Sequence, residues 1–147
     1  MGLFDMLSVS ASALSAERQR AEVTSANLAN AETTHTDTGG PYVRKEVVFS
    51  TSNVSPFSTV LGRLGHFGQA TPGSVQVAGV VDDTTPPVMH YEPGNPDADK
   101  DGYVKTPNVD LAIEFVNSLE ASRAYEANVT MMDTAKSMIN SSLRLLA

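Results

Sequence analysis

The sequence predicts a mainly α protein in which paired long helices at the two ends of the chain, coiled-coil-like in pattern, flank a small insert of strands and loops. Three observations lead there. All eight prolines and nine of the ten glycines fall between Gly39 and Pro107, so both ends are nearly free of helix breakers. Each end carries apolar residues at steps of three and four, the period of an amphipathic helix. The middle instead carries short valine-rich runs separated by Gly and Pro turns. The expected division is a helical arm over 1–36, a β and loop insert over 37–107 and a long helix over 108–147.

The first arm, Leu3 to about Thr34, repeats in heptads. Phe4, Leu7, Ala11, Leu14, Arg18, Ala21, Ser25 and Leu28 step by three and four, with Leu7, Leu14, Ala21 and Leu28 one heptad apart. Arg18 and Ser25 interrupt the stripe, and Ser and Thr are plentiful. The arm alone is therefore expected to be only partly helical, and its apolar face needs a partner, either the other arm of the same chain or a neighbour.

Val43 to Phe49 and Val75 to Val81 read as strands, the second with Val75, Val77, Gly79 and Val81 on one alternating face. Val88 to Tyr91 is a shorter candidate. Turn chemistry separates them at Gly39-Gly40-Pro41, Thr71-Pro72-Gly73, Thr85-Pro86-Pro87 and Pro93-Gly94-Asn95-Pro96. Gly62, Gly65 and Gly68 around His66 and Phe67 suggest a flexible loop. A β element this slight has no deep core of its own.

From Asn108 to the end no Gly or Pro occurs. Leu111, Phe115, Ser118, Ser122, Tyr125, Val129, Met132, Lys136, Ile139, Leu143 and Leu146 step by four and three, and eight of these eleven are apolar. A second stripe runs beside it through Ala112, Val116, Leu119, Ala127, Met131, Ala135 and Met138. Thr106-Pro107 resists helix, Asn108 is placed to cap, and Asp110 sits where the helix dipole favours an anion. At about 1.5 Å per residue this helix is roughly 55 Å long. A small globule cannot cover such a rod on one side, so part of its apolar surface is left for other molecules.

Composition narrows the function. The formal charge of −7 with no basic patch argues against nucleic acid as a partner. Cysteine is absent, which removes disulfides, thiol catalysis and cysteine-based metal sites. No apolar run approaches the ~18 residues of a membrane span. The N-terminus lacks a basic segment and has Asp5 inside its one apolar patch, so no cleaved signal peptide is expected. Asp97-Ala98-Asp99-Lys100-Asp101-Gly102 opens like a calcium loop. The twelfth position, which should hold a bidentate Glu, is however Asn108, and the ninth is Lys105, so the stretch reads as an acidic solvated turn. His35, His66 and His90 show no ligand spacing, and the methionines at 131, 132 and 138 read as helix packing. No nucleophile elbow or phosphate loop occurs. No catalytic, metal or cofactor site is assigned, and the chain is not expected to be an enzyme.

Thr24-Ser25-Ala26-Asn27-Leu28-Ala29-Asn30-Ala31, with Thr33 after it, resembles the N-terminal signature of bacterial flagellar axial proteins. Two further stretches narrow the likeness: Gly40-Pro41-Tyr42-Val43-Arg44-Lys45-Glu46-Val47-Val48-Phe49, and the run from Tyr91-Glu92-Pro93-Gly94-Asn95-Pro96 through Asp101-Gly102-Tyr103 to Val109. Together with Glu120-Ala121-Ser122-Arg123-Ala124-Tyr125-Glu126-Ala127-Asn128 they resemble the basal-body proximal rod proteins of the C type over nearly the whole chain. The least similar stretch is Thr51 to Pro72.

The resemblance implies terminal helices that line a tubular rod, with a small β-containing region outside. It also implies export through the flagellar type III apparatus without a cleaved signal, and assembly in the periplasm. The implied partners are other copies of the chain, other rod subunits and basal-body ring or adaptor proteins, with no nucleic acid and no membrane insertion. The residues expected at the assembly interface are Leu7, Leu14, Leu28, Asn27, Asn30, Leu111, Phe115, Val129, Met132, Ile139 and Leu143. Asn27 and Asn30 are open to two readings, as helix-ending residues or as bonds across to neighbours. Two other classes stay open to the residues themselves: a calcium-modulated binding module, and a coiled-coil adaptor or secreted effector that does not polymerise.

Overall fold

A computed structural model describes residues 3–37, 39–51 and 74–146, with side chains for those between 5 and 144. The glycine-rich loop expected around His66 and Phe67 and the turn at Thr71-Pro72-Gly73 lie outside the described residues.

Helix α1 runs over Leu3–Ala29. It stops five residues before the expected Thr34, and Asn30 is the reason. Its side-chain amide donates to the Ala26 carbonyl at 2.8 Å while its own backbone N–H reaches the same oxygen at 3.1 Å. Ala31 then donates to Leu28, three residues back, and Thr33 bonds Asn30 through both its N–H and its hydroxyl. Short polar side chains that satisfy the backbone locally compete with another helical turn.

Strand β1 covers Lys45–Thr51, two residues later than the valine run suggests, and β2 covers Val75–Asp82. They pair in a two-stranded sheet, and the Asp83 N–H adds a bond to the Arg44 carbonyl at 2.8 Å. The alternation expected of Val75, Val77 and Gly79 is present as half-buried positions, but Val81 is exposed.

Strand β3, Val88–Tyr91, matches its expected span, and its partner is an element the sequence did not suggest. Tyr103–Thr106 forms β4, antiparallel to β3, with Val88 opposite Thr106 and Tyr91 opposite Tyr103. The proline- and aspartate-rich stretch, read from sequence as an acidic solvated turn, is thus the loop of a hairpin. Backbone bonds from Glu92 to Gly102, Asp99 to Tyr103 and Gly102 to Asp99 close it. Gly102 has φ +82°, and a Cβ there would stand 3.0 Å from Tyr91 Cε2 and 3.2 Å from Pro93 Cβ, so glycine is required by both backbone and space. The Tyr91 and Tyr103 rings meet edge to face with centroids 5.3 Å apart.

Helix α2 covers Leu111–Leu146, 36 residues. Its cap is Asp110 and not Asn108. One Asp110 carboxylate oxygen accepts from the N–H groups of Ala112 at 2.8 Å and Ile113 at 3.2 Å, and the Asp110 carbonyl takes the Glu114 N–H. Both residue types can cap; position decides, because Asp110 immediately precedes the first helical residue.

The chain forms two compact units, each with part of both helices. One comprises Met1–Arg18, Phe49–Ala78 and Ser122–Ala147, and the other Gln19–Val48 and Gly79–Ala121. In the first, Ser10, Ala16 and Ala135 are buried, and Ser12 Oγ accepts the Val75 N–H at 3.2 Å. In the second, Thr24, Asn27, Val104, Glu114 and Ala121 are buried. Here Arg20 reaches Glu120 and Asn117, while Asn27 reaches Glu114. Advancing along α1 therefore means receding along α2, so the helices run antiparallel through this unit.

Among the described residues the buried side chains are mostly small or polar, with Val104 an exception. On α2 the covered line is Glu114, Ala121 and Ala135, with Asn128 half-buried between them, each one heptad from the next. The large apolar side chains of the predicted stripe lie elsewhere.

Candidate functional site

Two features stand out: a buried polar junction in the second unit, and large apolar side chains of α2 that are exposed. The junction is centred on Asn27, near the end of α1 and only 1 % exposed. Its amide uses every hydrogen-bonding position. Nδ2 donates to the Lys45 carbonyl at 2.8 Å and to Glu114 Oε2 at 3.3 Å; Oδ1 accepts from the Lys45 N–H at 2.9 Å and the Tyr42 hydroxyl at 3.0 Å.

Glu114, also 1 % exposed, sits in the first turn of α2. Arg44 Nε donates to its Oε1 at 2.8 Å, and Arg44 Nη1 reaches Asp83 Oδ2 at 3.4 Å. A buried carboxylate is tolerable only when paired and hydrogen-bonded, and here it has both a guanidinium and an amide. The end of α1, the segment leading into β1, the residue after β2 and the start of α2 are thereby joined.

Charge states follow the surroundings. Burial, then the nearby carboxylates of Asp82 and Glu114, push the Tyr42 phenol above its ordinary value. Burial alone would lower Arg44, but its hydrogen bond to Glu114 and that charge, followed by Asp83, hold its pKa above the usual guanidinium value. Asp83 is held below the usual carboxylate range, first by the Thr85 hydroxyl and backbone N–H, with Arg44 adding to the effect. The result is a neutral phenol between fixed charges. No nucleophile in it is paired with a base, and its chemistry is that of a rivet.

Two of the carboxylates of the aspartate-rich turn are likewise engaged within the fold. Asp99 Oδ1 accepts the N–H groups of Asp101 and Tyr103, and Asp97 Oδ2 accepts the Thr34 hydroxyl at 2.6 Å.

Of the residues singled out from sequence, Leu7, Leu14, Leu28, Asn30, Met132 and Ile139 are half-buried. Asn27 is buried in its own chain. Leu111, Phe115, Val129 and Leu143 are exposed, as are Ile113, Val116, Leu119, Tyr125, Met131 and Met138. Large apolar side chains exposed in such number along one helix are what association sites present. Tyr42, Arg44 and Glu114 were not foreseen. The one signal for them was an acid, Glu114, set between Ile113 and Phe115 in an otherwise apolar turn.

Relatives decide what that surface belongs to. The chain is 44 % identical over 145 residues to the flagellar basal-body rod protein FlgC of Escherichia coli O6:H1, covering 99 % of this chain and 98 % of that one. The chain belongs to the FlgC family of flagellar basal-body rod proteins. The Bacillus subtilis protein of the same name is 40 % identical over 149 residues, and that of Borreliella burgdorferi 39 % over 150, each alignment covering 99 % of both chains. Residues 7–34 match the family described as flagella basal body rod protein, and 100–145 the family described as flagellar basal body rod FlgEFG protein C-terminal. These matches fall on α1 and on β4 with α2. As an FlgC-family member the chain is a structural rod subunit of the flagellar basal body, not an enzyme. None of its described helices is long and apolar enough to cross a membrane.

Proposed function

We propose that this rod subunit joins the proximal rod through the apolar faces of its two terminal helices. The observation that carries the reading is the exposure of Leu111, Phe115, Val129 and Leu143, whose large side chains lie outside the small-residue line that the chain itself covers. Full burial of each is worth about 1.5–3 kcal/mol. Contacts of different faces on successive copies do not close on themselves and so propagate as a helical tube. Leu7, Leu14, Leu28, Met132 and Ile139, already half-covered, and Asn30 at the helix end would complete the contact. Asn27 acts from inside by fixing the end of α1.

In this reading the helices pair in coiled-coil fashion along the tube, with 1–36 and 108–147 as inner arms and 37–107 outside. Delivery runs through the flagellar type III export apparatus without a cleaved signal, and ring or adaptor proteins meet the rod at its ends. The antiparallel segment marked by Arg20 with Glu120 and Asn27 with Glu114 supports the pairing of the arms.

The test is to supply Phe115→Asp in cells lacking their own copy. The expected result is a stable, expressed chain that is missing from purified basal bodies, in cells that do not swim. Normal motility would count against the packing scheme.

A further inference from the structure

An open groove of about 810 Å³ lies in the second unit beside the first turn of α2. Its walls come from the face of the β3–β4 hairpin that carries Val88, His90, Val104 and Thr106, from the Pro107–Ala112 stretch and from residues just after α1. Val88, Val109 and Leu111 give it an apolar part. Glu32, Glu92 and Asp110 line it as well, with no lysine or arginine among the lining residues. A segment that fits must bring both apolar side chains and positive charge.

One segment of this chain has that composition. After Asp133 there is no further acidic side chain, while Lys136 and Arg144 punctuate Met138, Ile139, Leu143, Leu145 and Leu146. Met138 and Leu143 are 54 % and 59 % exposed, so apolar surface is available there.

We propose that this groove receives the last turns of α2, residues 135–146, from a second copy of the chain, an inference that rests on the rod-subunit reading above. Met138, Ile139 and Leu143 of the incoming helix seat against Val88, Val109 and Leu111, and Lys136 and Arg144 face the three carboxylates, as an amphipathic helix docks in a groove of opposite charge. The contact is head to tail, joining different surfaces of the two copies, and so repeats without closing.

The absence of cysteine gives a direct test. Val88→Cys and Leu143→Cys are supplied as two separate full-length variants in the same flagellated cells, which lack their own copy, and then oxidised. A disulfide-linked dimer containing one of each, and absent when either variant is supplied alone, is the expected result. No such dimer in swimming cells whose basal bodies contain both variants overturns the groove assignment and leaves the rod reading standing. Absence of the unsubstituted chain from basal bodies overturns the rod reading and the groove with it. An independent charge test settles the matter if a cysteine variant fails to assemble. Arg144→Glu should reduce swarming several-fold, and Glu32→Lys added to it should restore most of the loss. Failure of that rescue contradicts the proposal.

Discussion

Arg44 donates from Nε to Glu114 at 2.8 Å, across 70 positions of sequence, and the carboxylate it meets is 1 % exposed. Removing the guanidinium leaves a buried charge with only Asn27 for a partner. Arg44→Ala should therefore lower unfolding stability by about 3–5 kcal/mol, whereas Arg44→Met with Glu114→Leu, which removes both charges, should recover much of it. Denaturant melts of the two variants check this; equal losses in both would mean that the pair carries no special weight.

Tyr42 gives the junction a pH dependence at the alkaline end. Its phenol is raised above 10.0, so the neutral form is favoured by folding. The sign follows from that. The stability it contributes is fully present below the unfolded value and is lost as pH rises through the folded value, when a phenolate forms beside Asp82 and Glu114. Ultraviolet titration should show one tyrosine ionising later than the rest, and Tyr42→Phe should remove it.

Gly102→Ala forces a side chain into positive φ and against Tyr91 and Pro93, and should cost about 1–2 kcal/mol. Gly94→Ala, with no atom within 4 Å of its added Cβ, is the control and should stay within about 0.5 kcal/mol of the parent. Thermal melting distinguishes them.

The aspartate-rich turn should not bind calcium tightly, since Asp99 is committed to backbone N–H groups and Asp97 to Thr34. Replacing Asp97, Asp99 and Asp101 together by Asn should leave calorimetric titration with calcium unchanged. A micromolar affinity that the substitutions abolish would contradict this.

Much of the fold could be read from local signals. A forty-residue stretch without Gly or Pro declares a helix, and Val88–Tyr91 declares a strand, because each needs only neighbouring residues to be recognised. The partner of that strand could not be read the same way. Tyr103–Thr106 is four residues long, pressed between an acidic turn and Pro107, and gains strand character only from pairing with β3. Periodicity also revealed that α2 is amphipathic without revealing which line its own chain covers. Alanines at 121 and 135 weigh little in an apolar pattern, yet their size is what admits close packing, and the larger Leu111, Phe115 and Val129 stay outside. Asn27 and Glu114 were invisible as a pair because a contact between residues 87 positions apart leaves no spacing to detect.

The central claim is that the apolar face of α2 is covered by neighbouring subunits and not by its own chain. Hydrogen–deuterium exchange over Leu111–Leu146, in the isolated chain and in purified basal bodies, tests it most directly, with the amides around Asn27 as the internal reference. The account predicts that α2 gains strong protection on assembly while the reference changes little. Equal protection of α2 in both states would show that the face was already covered in the single chain.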